Sequence, residues 1–278
     1  SYPFNLTLMS WVQLIVLAVV QGITEFLPVS SSGHLILVGN YFASHGGADQ
    51  GLMIDVGTHL GTLAAVILYF RTRVAQMFRG LWDLVTRRKT FDGYLTLCLI
   101  VGTIPGLIGG GLIVLLDDAL MRHVPIIIAT SIIFGALLWW VDRKGGTSKT
   151  IDQHMTLKQA WTIGLAQMVA LIPGTSRSGI TMTAARFLGY GRVEAARFSF
   201  LLSIPVTAAA AAVYLLKIAL HPPDAQQVHD FFIVAVLSFV VALAAIHWLL
   251  RWLTTHDFTP FVIYRFALAG VLILMWVG

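Results

Sequence analysis

Six long runs of apolar residues dominate the hydropathy pattern of this chain, and short polar stretches separate them. A membrane-spanning helix needs about 20 mostly apolar residues, and each run comes close to that length. The polar stretches, such as 71–93 and 142–156, are predicted to be linkers. The pattern predicts six transmembrane helices, at residues 52–70, 95–116, 124–141, 195–216, 231–250 and 261–277.

Two further apolar stretches, at residues 11–38 and 160–188, are each interrupted by polar residues. The first contains EFLPVSSSGH at 25–34, and the second contains PGTSRSG at 173–179. Irregular backbone at membrane depth occurs only where it is buried in protein or lines a wet cavity. Each stretch is therefore predicted to be a re-entrant helix–loop–helix hairpin, at about 11–45 and 157–188.

The two interrupted stretches resemble each other and lie about half the chain apart. Gln21 precedes a serine-rich run that ends in glycine, as Gln167 does in the second stretch. Three predicted spans follow each stretch, and an odd number of spans reverses the second copy across the membrane. The predicted fold is an all-α polytopic membrane protein with one membrane domain. It is built as an inverted-topology repeat of residues 1–145 and 146–278, each half one re-entrant hairpin plus three transmembrane helices.

The composition excludes a water-soluble protein. Hydrophobic residues make up 57% of the 278 residues and charged residues only 11%, whereas soluble domains carry about 25% charged residues. Cys98 is the single cysteine, so neither an internal disulfide nor a cysteine metal cluster can form. The net charge of +5 comes from short basic loops between apolar runs, so it does not indicate a nucleic-acid partner.

The distribution of positive charge predicts an orientation in the membrane. If the first hairpin enters and leaves from the outside, 14 of the 18 lysines and arginines fall in inside loops. Only Arg122 and Lys217 then lie outside, and Arg177 and Arg265 lie within membrane segments. Cytoplasmic loops of membrane proteins carry such an excess of Lys and Arg. Both chain ends are therefore predicted to lie outside.

Gln21 and Glu25 are candidates for holding a divalent cation. Their i, i+4 spacing places them on one face of a helix. A carboxylate and an amide oxygen suit a hard cation such as Mg²⁺, which also takes phosphate oxygens and water. A helix end with one polar face explains the same pair equally well when it is considered alone.

The residues that follow form a candidate anion site. The hydroxyls of Ser30, Ser31 and Ser32, with backbone N–H groups at a helix start, suit a phosphate group. Ser32 could equally be a plain N-cap. His34 is a candidate general acid or base because its free pKa is near neutrality, although a lone buried histidine is more often a structural hydrogen-bonding group.

The second interruption carries Arg177 among small hydroxylated residues. A guanidinium binds phosphate bidentately and keeps its charge when desolvated. Thr175, Ser176, Ser178 and the flanking glycines allow the backbone to approach an anion closely. An internal ion pair with Glu25 is the alternative partner for Arg177, and it would not exclude phosphate binding. Together the two interruptions indicate phosphoryl transfer or phosphate binding, on a lipid carrier.

The motifs resemble a known family. QGITEFLPVSSSGH at 21–34 and PGTSRSG at 173–179 are similar to the two signatures of bacterial undecaprenyl-diphosphate phosphatases of the BacA type, and 198–205 and 263–266 also match that family's pattern. The resemblance covers essentially the whole chain. It implies hydrolysis of the C55 polyprenyl diphosphate to the monophosphate, a step that recycles the carrier lipid of cell-wall (peptidoglycan) synthesis and is linked to bacitracin resistance.

The resemblance also implies a location, a partner and a set of functional residues. It places the chain in the bacterial cytoplasmic (inner) membrane, where we expect the active site to open to the periplasmic side, and it makes a homodimer an expected assembly. The family's functional positions carry over as Gln21, Glu25, Ser31, His34, Ser176 and Arg177.

The mechanism has alternatives for the cation, the base and the nucleophile. Glu25, with help from Gln21, would hold Mg²⁺ or Ca²⁺ beside the diphosphate. Ser31 would attack the terminal phosphorus after activation by Glu25 or His34. Direct attack by water, with Ser31 only orienting it, is the other hypothesis.

Three other readings compete with hydrolysis. A lipid flippase or secondary transporter would use the same inverted repeat and broken helices, but it would not release phosphate in detergent. An acid-phosphatase-like lipid phosphatase needs a histidine shortly after its arginine, and none occurs between Arg177 and Arg197. A purely structural membrane protein leaves the two polar interruptions unexplained.

Overall fold

The computed structural model describes residues 9–45, 51–113, 123–146, 148–220 and 223–277, and these residues are mostly helical. They contain twelve α-helices, which we number in chain order. The helices are α1 (Trp11–Thr24), α2 (Ser31–Ser44), α3 (Gly51–Tyr69), α4 (Arg71–Val85), α5 (Phe91–Ile113), α6 (Val124–Lys144), α7 (Ile151–His154), α8 (Leu157–Val169), α9 (Arg177–Phe187), α10 (Arg192–Leu220), α11 (Ala225–Trp252) and α12 (Thr259–Val277).

Within the described ranges, five helices are long and apolar enough to cross a membrane: α5, α6, α10, α11 and α12. They confirm five of the predicted spans, although residues 114–116 of the second span lie outside the described ranges. The predicted span at 52–70 coincides with α3, which passes the same test only together with α4. The chain is thus an all-helical polytopic membrane protein.

Helix α4 differs from the sequence prediction, which assigned residues 71–93 to a polar linker. It runs for 15 residues and turns by 87° from α3. The arginines in this region favoured a linker, yet the apolar residues recur at a helical spacing of three or four. Phe78, Trp82 and Val85 follow that spacing, and each is more than 60% exposed. An amphipathic helix that packs on α5 therefore replaces the expected loop.

Glycine allows two pairs of helices to approach backbone to backbone. A side chain at Gly61 of α3 would collide with the Ala235 carbonyl oxygen of α11. A side chain at Gly164 of α8 would likewise collide with the Gly102 carbonyl of α5. Small residues permit such close packing in membranes, where helix association depends on van der Waals contact.

The helices of residues 1–145 and 146–278 pack against each other reciprocally. Helix α1 packs on α11, and α8 packs on α5. Helix α9 packs on α6, while Ile36 and Leu37 of α2 contact a buried cluster that includes Leu268 and Leu272 of α12. Each interrupted segment therefore rests against long helices of the other half, and this arrangement brings the two interruptions together.

A buried carboxylate fixes one end of α9. Asp142, near the end of α6, accepts hydrogen bonds from Arg186 Nε at 2.8 Å and Arg192 Nε at 2.9 Å. Its other oxygen accepts from the backbone N–H of Phe258 at 3.2 Å. The remaining N–H groups of the fully buried Arg186 donate to backbone carbonyls, including those of Gly145 and Tyr190. This cluster ties α9 to α6 and to the starts of α10 and α12.

Candidate active site

The two interruptions contain the same unusual turn. Ser30 precedes α2 with φ 74° and ψ 98°, and Ser176 precedes α9 with φ 71° and ψ 112°. A positive φ is uncommon for any residue other than glycine. Among the described residues, Arg87 is the one other example. Both serines place the free N–H groups of a helix start beside the interruption, which is a favourable arrangement for binding an anion.

The second interruption is packed tightly on α6. Gly174 has φ 84°, and a side chain there would collide with Thr130 Oγ1. Thr130 Oγ1 donates to the Pro173 carbonyl at 2.7 Å. Glycine is therefore required at this position both by its backbone conformation and by the lack of space.

Glu25 and Arg177 meet where the two interruptions converge. Arg177 Nη2 donates to Glu25 Oε1 at 2.8 Å, and their side chains are only 17% and 10% exposed. Ser178 Oγ forms a second link by donating to the Leu27 carbonyl at 2.9 Å. The ion pair foreseen as an alternative partner for Arg177 is present. Arg177 Nη1 is buried without an acceptor in the described part of the chain, so one edge of the guanidinium stays available for a phosphate.

Gln21 extends this pair toward α3. Its Nε2 donates to Glu25 Oε2 at 2.9 Å and lies 3.3 Å from His59 Nε2. His59 Nδ1 donates to the Asp55 carbonyl at 2.8 Å, so its Nε2 is the acceptor for Gln21. His59 was not among the predicted site residues. Its signal in the sequence was an ionisable side chain inside an apolar run.

His34 is held by hydrogen bonds at both ring nitrogens. Nδ1 lies 2.7 Å from the Ser30 carbonyl and donates to it, and Nε2 accepts from the Tyr264 hydroxyl at 2.6 Å. The two rings are also nearly parallel, with centroids 5.5 Å apart. Tyr264 was given no role from the sequence, although it lies in the 263–266 stretch noted there as a motif. An acid or base role for His34 would therefore involve Tyr264.

The hydroxyl groups of the second interruption lie at the start of α9. Ser176 Oγ accepts from the Gly179 N–H at 3.2 Å and lies 3.3 Å from Ser178 Oγ. Thr175 Oγ1 is buried and has no hydrogen-bond partner among the described residues. Both Ser176 and Ser178 are buried, so this hydroxyl cluster is enclosed by protein.

The serines of the first interruption are arranged along the start of α2. Ser30 is buried and is the N-cap residue of α2. The sequence had suggested Ser32 as a possible N-cap. Ser31 is the first residue of α2 and is partly exposed. Ser32 is the second residue of α2, and its side chain lies outside the described part of the structure.

The predicted cation ligands offer oxygen donors from two side chains. Within the described ranges, no group of three His, Cys, Asp or Glu side chains could hold a metal alone. Glu25 offers a carboxylate, and Gln21 Oε1 is buried without a partner among the described residues. Mg²⁺ is commonly bound by one or two carboxylates together with phosphate oxygens and water. The donor set therefore suits a hard cation, whereas a structural zinc site needs four protein ligands.

The chain is similar to known proteins over nearly its whole length. A family model described as bacitracin resistance protein BacA matches residues 14–271. A protein from Jannaschia sp. strain CCS1 is 49% identical over 96% of this chain and 99% of its own length. Proteins from Idiomarina loihiensis and Hahella chejuensis are each 46% identical, over 96% and 97% of this chain and over their full lengths. All three carry the name undecaprenyl-diphosphatase.

Proposed function

This chain belongs to the family of the bacitracin resistance protein BacA, and we propose that it hydrolyses undecaprenyl diphosphate to undecaprenyl monophosphate and phosphate. The similar proteins named for this activity match nearly the whole chain, so the reaction belongs to the membrane domain itself. The flippase or transporter alternative is not favoured, because those relatives are named for hydrolysis.

The observation that carries the proposal is the buried contact between Glu25 and Arg177. These residues lie 152 positions apart in the chain, and their side-chain atoms are 2.8 Å apart. A charged pair inside a membrane domain is costly, so its presence indicates a function. Arg177 Nη2 is occupied by the carboxylate while Nη1 has no acceptor in the described chain, so one guanidinium can hold Glu25 and a phosphate together.

The substrate phosphates bind between the starts of α2 and α9. Arg177 contributes charge and the fork-like donors, and backbone N–H groups of both helix starts add neutral donors. The hydroxyls of Thr175, Ser176 and Ser178 line one side of the site, and that of Ser30 lies on the other. The polyprenyl chain remains in the hydrocarbon region beside the helices.

Glu25 and Gln21 would hold a divalent cation, Mg²⁺ or Ca²⁺. When bound, such an ion offsets the negative charge of the transferring phosphoryl group. The chain itself orients the two ligands. The amide of Gln21 is fixed between Glu25 and His59, and the carboxylate of Glu25 is fixed by Arg177. His59 is thus a support for the ligand pair.

Ser31 is the proposed nucleophile. Its Oγ forms a bond to the terminal phosphorus as the bond from that phosphorus to the bridging oxygen breaks, and undecaprenyl monophosphate leaves. The Ser31 proton passes to Glu25 or His34. Water then hydrolyses the phosphoserine, which releases phosphate and restores the hydroxyl. In the alternative pathway, water attacks the substrate directly and Ser31 only orients it.

The two halves, 1–145 and 146–278, form an inverted repeat in this proposal. Gln21 and Gln167, Ser30 and Ser176, and Gly33 and Gly179 are each 146 positions apart. The two serines share nearly the same backbone conformation, and the interrupted segments pack on the opposite halves in a reciprocal manner. These features support two re-entrant hairpins related by a two-fold axis.

The proposed setting is the bacterial cytoplasmic (inner) membrane, with the site opening to the periplasmic side. The excess of lysine and arginine in one set of loops supports this orientation. We also propose a homodimer, and chemical cross-linking in membranes measures that state directly.

A phosphate-release assay on undecaprenyl diphosphate in detergent tests the function. The parent protein should release phosphate without a sealed bilayer, and a chelator should suppress the release until Mg²⁺ or Ca²⁺ is restored. Glu25→Ala should abolish activity, while Glu194→Ala, which removes a carboxylate that pairs with Arg197 and not with Arg177, should retain it. No release by the parent protein would reject hydrolysis in favour of transport.

A further inference from the structure

We propose that Arg265 is a positioning residue of the phosphate site and that its unpaired charge helps the site to attract the diphosphate. Arg265 lies on α12 and is 0% exposed. Its Nη2 donates to the Gly174 carbonyl at 3.0 Å and to the Thr130 carbonyl at 3.2 Å. It therefore holds the turn that precedes Arg177 by its backbone.

The charge of Arg265 has no carboxylate partner among the described residues. None of the ion pairs in that part of the chain includes it, and its Nε and Nη1 are buried without an acceptor there. Buried charges are normally paired or fully hydrogen-bonded, because desolvation of an unpaired charge is costly. Arg265 is an exception, and we take the anion that balances its charge to be the diphosphate of the substrate.

Arg186 shows how the same chain treats a structural arginine. It is equally buried, but its Nε donates to the Asp142 carboxylate, and both Nη atoms donate to backbone carbonyls. All its donor nitrogens are therefore occupied and its charge is neutralised. Arg265 differs in both respects, so structural support alone does not account for it.

The free Nη1 of Arg265 lies at the first turn of α9. A methyl group placed on Gly179 would come within 3.2 Å of this Nη1 and 3.1 Å of Ser176 Oγ. Arg265 thus lies beneath the turn that carries Ser176 and Arg177. The described site thus holds two guanidinium groups and the α9 N-terminus but one carboxylate, Glu25, so without substrate it carries excess positive charge that a diphosphate would balance.

The role follows from these contacts, and it rests on the proposed phosphatase function. Arg265 fixes the Gly174 carbonyl, which keeps the strained Ser176 backbone in place and directs the N–H groups of α9 toward the phosphates. Its field, acting across a low-dielectric interior, strengthens anion binding without direct contact with the reacting atoms. Removing it should weaken ground-state binding of the diphosphate as well as turnover.

Two variants and one control test this role in detergent-solubilised protein. Arg265→Gln removes the charge, Arg265→Lys keeps it, and Arg251→Gln removes an exposed arginine at the end of α11. Inorganic pyrophosphate is the binding probe. The melting temperature rises with its concentration, and the midpoint is the pyrophosphate concentration that gives half of the full rise. KM and kcat for undecaprenyl diphosphate are measured in parallel.

Arg265→Gln should raise both the pyrophosphate midpoint and KM by about tenfold or more, since a buried unit charge contributes on the order of a tenfold factor to the binding of an anion in the same site. Arg265→Lys should lie between it and the parent, and Arg251→Gln should match the parent. An active parent together with unchanged midpoint and KM in both Arg265 variants would overturn this inference and leave the function intact. A parent that releases no phosphate would instead reject the function itself.

Discussion

Replacing Arg177 with lysine keeps the charge of the site while removing the fork of donors. In the structure, Nη2 is committed to Glu25 at 2.8 Å, and Nη1 is the nitrogen left for phosphate. A single ammonium group on a flexible stem cannot hold both partners in that geometry. Arg177→Lys should therefore lose one charge-assisted hydrogen bond in the transition state.

The expected loss follows from the energy of that bond. A hydrogen bond to a charged group contributes about 1.5–3 kcal/mol, and the pair is less than a fifth exposed, so solvent screening is small. Since about 1.4 kcal/mol corresponds to a factor of ten, kcat/KM should fall by about 10- to 150-fold. Phosphate release from undecaprenyl diphosphate in detergent measures this quantity directly.

Arg197→Lys is the matched control for this substitution. Arg197 also forms an ion pair, with Glu194 at 2.7 Å, but its side chain is 50% exposed and outside the proposed site. Its kcat/KM should stay close to the parent value. If Arg177→Lys also stays within twofold of the parent, bidentate phosphate binding by Arg177 is wrong.

Three further changes test other parts of the structure. Ser31→Ala should lower phosphate release by about 10³-fold or more if Ser31 is the nucleophile, and near-normal turnover would leave direct attack by water. Tyr264→Phe removes the donor to His34 Nε2, so kcat should fall by about tenfold with little change in KM; an unchanged kcat would separate Tyr264 from the chemistry. Gly61→Ala should lower the melting temperature by several degrees because overpacking costs about 1–3 kcal/mol. Gly110→Ala, where the structure has open space, should leave it unchanged. Equal melting temperatures of the two variants would contradict the close packing of α3 on α11.

The long helices and the meeting of the interruptions could be predicted from the sequence. The five confirmed spans are apolar for about the length that a bilayer requires, and no other fold satisfies such runs in lipid. The contact between Glu25 and Arg177 was foreseen as an internal ion pair, because a charge in an apolar segment needs an opposite charge or an anion. Length and charge therefore sufficed for the framework and for the principal pair.

The supporting residues could not be predicted in the same way. Tyr264 reaches His34 across 230 positions, and nothing in their local sequences indicates that contact. Helix α4 was hidden because Arg71, Arg73 and Arg79 raised the polarity of the segment above that of a membrane span. Such features depend on tertiary packing or on helical periodicity rather than on mean polarity.

The carboxylate of Asp142 sets the position of Arg177 from a distance. Asp142 forms an ion pair with Arg186 near one end of the 11-residue helix α9. Arg177 lies at the other end, about 14 Å away along the helix axis. The helix is therefore held firmly at the Arg186 end, and its rigidity fixes the position of the Arg177 end. A substitution of Asp142 would therefore displace the Arg177 guanidinium from Glu25. Activity would be lost although Asp142 does not contact the lipid headgroup.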